Sequence, residues 1–217
     1  MTYFGYELVE ASNNLNYSMS YNYTNGPFFH TGMKADFALS DNFSAMLGVF
    51  NPTDTKSFDG RPNIGGQLAY VNGGFKAYFN VISGKGPDSF ATKAAVIDLV
   101  ASYQVTPKFG LGLNLTNKAA QQTEILKTDK AAWQGYIVYA NYAATDNFTL
   151  AARGEYFNDS KGVALLKDKI TAFTLSGVFK VDALSIIPEV RFDKGSTALW
   201  KGKKSDTSLL LAAVYKF

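Results

Sequence analysis

The chain has 217 residues, 47% apolar and 15% aromatic, with 13 Tyr and 17 Phe against 2 Trp, no cysteine and a net charge of +3. These values exclude a disulfide scaffold and thiol chemistry, and the scattered charges of both signs form neither a basic stripe for nucleic acid nor an acidic tail. No run approaches the ~18 apolar residues of a membrane-spanning helix. Met1 is followed at once by Tyr3, Phe4, Gly5, Tyr6 and Glu7, so no signal peptide is visible and a chain lacking an upstream part is expected.

Along the chain the dominant pattern is period-2 alternation. "TGMKADFAL" puts Met33, Ala35, Phe37 and Leu39 on one face and Lys34 and Asp36 on the other, and "FSAMLGVF" follows a short turn. The pairs "IGGQLAYV" and "FKAYFNVI", "AAVIDLVASYQ" and "FGLGLNLT", "WQGYIVYANYA" and "FTLAARGEYF", and "ITAFTLSGVFK" and "ALSIIPEVRFD" come next, with "SLLLAAVYKF" last. Such alternation, broken by turn-residue clusters, predicts antiparallel hairpins. Pro188 is the poorest local fit, because it removes a ladder donor inside a strand. "GPDSFATKAAV" is compatible with a short helix at its start.

The connections alternate in length. Short turns fall at Ser40–Asn42, Asn72–Gly74, Val105–Lys108, Ala144–Asn147 and Val181–Asp182, and longer polar loops fall between them. Short turns on one side and long loops on the other are the rhythm of outer-membrane barrels. Aromatics border the short turns: Phe37 and Phe43, Tyr70 and Phe75, Tyr103 and Phe109, Tyr142 and Phe148, and Phe179. Their repeated position points to an interfacial girdle, whereas β-propensity alone accounts only for their presence in strands. The last strand ends on Tyr215 and Phe217, a hydrophobic terminus that suits hydrocarbon better than water.

Together these features predict an all-β fold, a transmembrane antiparallel up-and-down β-barrel of about 12 strands, forming a single domain over 1–217. The uncharged faces, such as Phe109, Leu111, Leu113 and Leu115, are expected to meet lipid. The opposite faces are expected to line a pore through Lys34, Asp36, Lys76, Tyr78, Asp98, Arg153, Glu155, Glu189 and Arg191. At this strand number side chains or an infolded loop largely fill the lumen. Charges of opposite sign two residues apart, Arg153 with Glu155 and Glu189 with Arg191, fit a transverse field across a pore or salt-bridge networks that plug one.

The stretches "FGYE" at Phe4–Glu7, "NYSMSY" at Asn16–Tyr21 and "GPFFHTG" at Gly26–Gly32 resemble the OmpL-like β-barrel porins of Gram-negative bacteria. The resemblance covers the first quarter of the chain, and family members look longer at the amino end. It implies an outer-membrane location, contact with outer-membrane lipid, passive diffusion of small hydrophilic solutes, and no cofactor. It also implies that residues 8–28 fold into the lumen as a constriction, presenting Glu10, Asn16, Ser18 and Ser20. A simple strand is the alternative there, since Tyr17, Met19, Tyr21 and Tyr23 alternate.

Enzymatic readings are weak. His30 is the only histidine, and a barrel phospholipase needs one beside a serine such as Ser18 or Ser20. One histidine with scattered carboxylates gives little basis for a metal site. "NGGF" and "GKGPDSF" lack the strand–loop–helix context of phosphate binding. The expectation is a narrow, weakly selective porin and no enzyme, with a closed structural or engineered barrel, or a soluble ligand-binding barrel, as alternatives.

Overall fold

The structure is a computed structural model that describes residues 2–58, 60–84, 93–121 and 131–216. Its eleven strands are β1 Gly32–Ala38, β2 Phe43–Phe50, β3 Asn63–Asn72, β4 Phe75–Gly84, β5 Lys93–Thr106 and β6 Phe109–Gln121, followed by β7 Ala131–Thr145, β8 Phe148–Asn158, β9 Lys169–Val181, β10 Leu184–Gly195 and β11 Ser205–Tyr215. They form one antiparallel sheet in sequential order, a meander of five short hairpin turns alternating with long loops. The short "GPDSFATKAAV" helix and the terminal Phe217 fall mainly or wholly outside the described residues.

The sheet has eleven strands rather than about twelve, because the amino-terminal stretch forms no strand. Residues 2–31 instead carry a 3-10 turn, Ala11–Asn13, and a short helix α1, Tyr21–Asn25. Ser20 ends the extended stretch by capping α1, its Oγ accepting from Tyr23 N at 3.0 Å. With an odd strand number β1 and β11 both run toward the short-turn end, and they are not paired with each other.

The tight turns follow local chemistry. Gly73 joins β3 to β4 at φ +55, and Asp182 joins β9 to β10 at φ +53, a conformation that Gly and Asp tolerate best. Pro188 pairs with Leu211 on β11, but β9–β10 pairing lapses between Ile186 and Glu189, where a donor is missing.

The sheet is polarised the opposite way from a soluble one. On the uncharged faces Leu68, Phe79, Leu111, Val138, Phe173, Leu209 and Leu211 are exposed, the last two at 82% and 74%. On the opposite faces Asn80, Asp98, Asn114, Arg153, Glu155, Thr174, Ser176 and Glu189 are buried. Removing apolar side chains from water is the normal driving force of folding, so a continuous face of exposed apolar side chains is stable only in hydrocarbon.

The aromatic girdle at the short-turn end makes two runs of ring contacts. Phe43 faces Tyr70 at 4.6 Å between ring centroids, Tyr70 lies 6.1 Å from Phe75, Phe75 lies 6.3 Å from Tyr103, and Phe148 stacks on Phe179 at 4.5 Å. A second belt, which the sequence pattern did not single out, runs near the long-loop end. There Tyr136 stacks on Tyr156 at 6.2 Å, and Phe173 is paired with Phe192. Phe148 and Tyr156 are eight residues apart on β8. At ~3.3 Å per residue and ~40° tilt this spans about 20 Å along the normal, close to the ~25 Å apolar band of an outer-membrane barrel.

Candidate functional site

Residues 2–31 lie across the polar face, and the wall is shaped to receive them. Gly65, Gly112 and Gly135 point inward from β3, β6 and β7. A Cβ on Gly112 would stand 2.6 Å from the Tyr6 ring, and those on Gly65 and Gly135 would collide with Tyr3 Oη and Asn22 Oδ1. The glycines thus act as seats, the close-approach role that glycine takes within strands. Tyr6 stacks on Tyr139 at 4.1 Å beside its seat, and Tyr3 Oη donates to Val81 O at 2.8 Å.

Polar wall residues complete the fit, because a backbone laid over a sheet face must find partners for its N–H groups. Asp98 accepts from Gly5 N at 3.0 Å and from Asn80, Asn114 and Thr116 side chains at 2.9, 2.5 and 2.7 Å. Glu189 accepts from Tyr17 N and Ser18 N at 2.7 and 3.0 Å and from Ser176 Oγ at 2.6 Å. Both oxygens of Glu155 accept from Tyr21 N, at 2.8 and 2.9 Å. Arg191 donates to Asp193 at 3.0 Å and to Met19 O at 2.6 Å, and lies 4.9 Å from the Tyr21 ring centre.

At the centre Arg153 Nη1 meets Glu7 Oε1 at 2.5 Å and donates to Ser18 O at 2.6 Å, while Nη2 donates to Thr174 at 3.2 Å. Glu7 Oε2 accepts from Ser20 N at 3.0 Å and Ser20 Oγ at 2.5 Å. Arg153 and Glu155 are buried, and each reaches a different part of the amino-terminal segment rather than the other. The i, i+2 pairing of Arg191 is likewise with Asp193 and not with Glu189.

The expected lining residues therefore divide. Asp98, Arg153, Glu155, Glu189 and Arg191 bind the amino-terminal segment. Lys76 and Tyr78 stay free of it and border a cavity of about 460 Å³ with Gln67, Asn80 and Ser102. Lys34 and Asp36 pair with each other at 2.6 Å on β1, both well exposed. A second cavity of about 330 Å³ lies between the segment and β7–β8, lined by Asn13, Asn14, Asn16, Tyr6, Tyr139 and Asn141 among others.

Of the expected segment residues, Asn16 is buried and donates to Ser176 Oγ at 2.8 Å, and Ser18 and Ser20 meet Glu189, Arg153 and Glu7 as above. Glu10 instead stays exposed, bonding Ser12 and Asn13 within the 3-10 turn. Glu7 was missed, although it sits in the "FGYE" stretch. His30 bonds Thr2 Oγ1 at 3.2 Å among Tyr3, Phe4 and Phe50, away from both serines. Burial there holds its imidazole down to about 4. Among the described residues no cluster of metal-ligating side chains is present.

At the long-loop end the loops fold over Trp133, Phe157 and Ile170, packing Tyr21, Leu166, Leu199 and Trp200 against them. Asp159 accepts from Ala164, Leu166 and Lys167 N–H groups. Asp168 accepts from the Ser196 and Thr197 backbones and hydroxyls, tying the β8–β9 loop to the β10–β11 loop.

An antiparallel meander with lipid-compatible walls, two aromatic belts and a polar interior defines an outer-membrane β-barrel. The chain belongs, over residues 1–217, to the family described as "Putative beta-barrel porin-2, OmpL-like", and is a protein of the bacterial outer membrane. Among solved structures it is similar to the anion-selective porin from Comamonas acidovorans, with TM-score 0.66 and 17% identity, covering 85% of this chain and 58% of that one. It is similar too to the outer membrane channel DcaP of Acinetobacter baumannii, with TM-score 0.66 and 14% identity, covering 100% of this chain and 68% of that one. A further porin matches at TM-score 0.61 and 11% identity, covering 87% of this chain and 62% of its own length. At these identities the likeness is one of fold. The chain thus spans about three-fifths to two-thirds of the porins it resembles. Comparison with curated proteins finds no match.

Proposed function

We propose that the protein is a passive porin for small hydrophilic solutes, with a narrow and weakly selective path, and is not an enzyme. The observation that carries this is the bed of wall-to-segment hydrogen bonds at Asp98, Arg153, Glu155 and Glu189, which holds residues 3–22 across the polar face while leaving cavities on two sides. Lys34, Asp36, Lys76 and Tyr78 remain for passing solutes, and their mixed signs favour neither ion strongly. Diffusion along such a path needs no cofactor and no covalent step. The separation of His30 from Ser18 and Ser20 supports the non-enzymatic reading.

The many hydrogen bonds that tie the amino-terminal segment to the wall support a second reading, a structural barrel with little conductance. Planar-bilayer recording of the detergent-purified protein separates the two. Discrete open steps of low amplitude, with a reversal potential near zero in a salt gradient, are expected of the porin. A silent bilayer with heat-modifiable, folded protein would overturn it in favour of the plug.

A further inference from the structure

The long-loop end is rich in exposed lysine along β9, β10 and their loops. On β9 and β10 the outward alternation that places Phe173 and Phe192 in the second aromatic belt continues to Lys169 and Lys194, both exposed. Lys194 is paired with Thr171, the next outward rung beyond the Phe192–Phe173 pair, and Lys169 lies one rung further on its own strand. Two residues of strand advance about 7 Å, which lifts these ammonium groups out of the hydrocarbon and into the headgroup layer.

The adjoining loops add five more exposed lysines: Lys161 and Lys167 between β8 and β9, and Lys201, Lys203 and Lys204 between β10 and β11. The acids of the same stretch do not offset them. Asp159, Asp168 and Asp193 are buried at 0%, 1% and 5% exposure and are bonded inward, so Asp206 is the one exposed carboxylate beside seven exposed lysines. None of the seven makes an ion pair with a described residue.

We propose that the β9–β11 side of the long-loop end is a docking surface for the phosphorylated glycolipid headgroups of the outer leaflet. The long-loop end faces outward in barrels of this kind. An ammonium rank just beyond an aromatic belt meets anionic headgroups at the depth where their phosphates lie, and compact ammonium groups suit phosphate as point charges. Basic side chains at an anionic surface gain roughly fivefold in affinity apiece. The inference rests on outer-membrane residence and holds whether or not the lumen conducts.

The test is native mass spectrometry of the detergent-purified protein titrated with diphosphoryl lipid A, with the same lipid lacking its phosphates, and with inorganic phosphate. The unaltered protein is expected to retain diphosphoryl lipid A and to release the dephosphorylated form. Lys169→Gln with Lys194→Gln should weaken binding about tenfold or more, while Lys169→Arg with Lys194→Arg retains it. An equal charge loss at the short-turn end, Lys108→Gln with Lys180→Gln, should leave it unchanged. Equal binding of the dephosphorylated lipid, equal losses in the two Gln variants, or displacement by millimolar inorganic phosphate would each overturn the proposal, the last in favour of capture of soluble anions. Heat-modifiable gel migration shows that each variant is folded.

Discussion

Replacing Glu7 by Ala tests the hold of the wall on the amino-terminal segment. The carboxylate anchors three donors, Arg153 Nη1, Ser20 N and Ser20 Oγ. Its loss leaves the Arg153 guanidinium 1% exposed with Ser18 O, Ser18 Oγ and Thr174 Oγ1 as its remaining acceptors. Stranding one member of a buried ion pair costs about 3–5 kcal/mol. Glu7 also borders both cavities, so water reaches one side of the gap and the lower end of that range applies. A cost of about 3 kcal/mol shifts the balance between seated and displaced segment by roughly a hundredfold. In planar bilayers Glu7→Ala is expected to show larger steps and frequent transitions between two levels, and limited proteolysis should cut within residues 2–31 at lower protease doses. Arg153→Met added to Glu7→Ala removes the stranded charge, so the double variant should be less perturbed than the sum of the singles. Unaltered conductance together with unaltered protease protection in Glu7→Ala would refute the reasoning.

Three more outcomes follow from the same geometry. Leu113→Arg places a cation on the lipid-facing wall midway between the Phe109 girdle and the level of Tyr136, and should cost about 2–4 kcal/mol in urea unfolding from detergent or lipid, whereas Ser102→Arg, on the cavity side, should cost under about 1 kcal/mol; equal tolerance would mean that the faces are assigned the wrong way round. His30, lowered by burial to about 4 from an ordinary 6.5, is neutral in the fold while the unfolded chain takes up a proton, so packing around it is fully stable above pH 6.5 and weakens as pH falls toward 4. Proteolysis of the amino-terminal segment should accelerate across that window, and His30→Phe should flatten the profile. Asp168 is opposed by its own burial, but hydrogen bonds from Ser196 and Thr197 overcome this and hold its carboxyl down to about 2, so its clamp is intact above pH 4 and is lost as pH falls through 2. Asp168→Ala should remove that acid transition and expose the β10–β11 loop to added protease at neutral pH; continued resistance would show that the clamp is dispensable.

The sheet was legible because each strand separates two solvents. Where one side meets lipid and the other a polar interior, alternation is strict, and Leu111, Leu113 and Leu115 on β6 read as plainly as a soluble core strand. The turn-side girdle was legible for a related reason, since each ring sits at a fixed offset from a short turn. The second belt was not, because Tyr136, Tyr156, Phe173 and Phe192 stand at varying distances from loops of unequal length and align only once register is known. Tyr17 to Tyr23 shows the limit of alternation. Its period suits a strand, but the wall carboxylates of Glu189 and Glu155, with Glu7 of the segment itself, compete for its N–H groups, and a serine cap at Ser20 turns the chain into α1.

The same competition explains why the charged interior was harder to read than the walls. From sequence, Arg153 with Glu155 looks like a local pair, because two residues of one strand face the same way. The distance along one face is nevertheless about 7 Å, and a bulky guanidinium gains more from a carboxylate that arrives from above. Glu7 supplies that carboxylate from 146 residues away. The seats obey the same logic: Gly112 and Gly135 weaken their strands unless something fills the space, and what fills it, Tyr6 and Asn22, lies about a hundred residues upstream. A single sequence can mark a glycine as a vacancy and a tyrosine as an occupant, but only the register of the sheet brings the two together. Under the proposed porin function, an interior built this way would tie the width of the path to how firmly a short amino-terminal segment is held, rather than to the strand count alone.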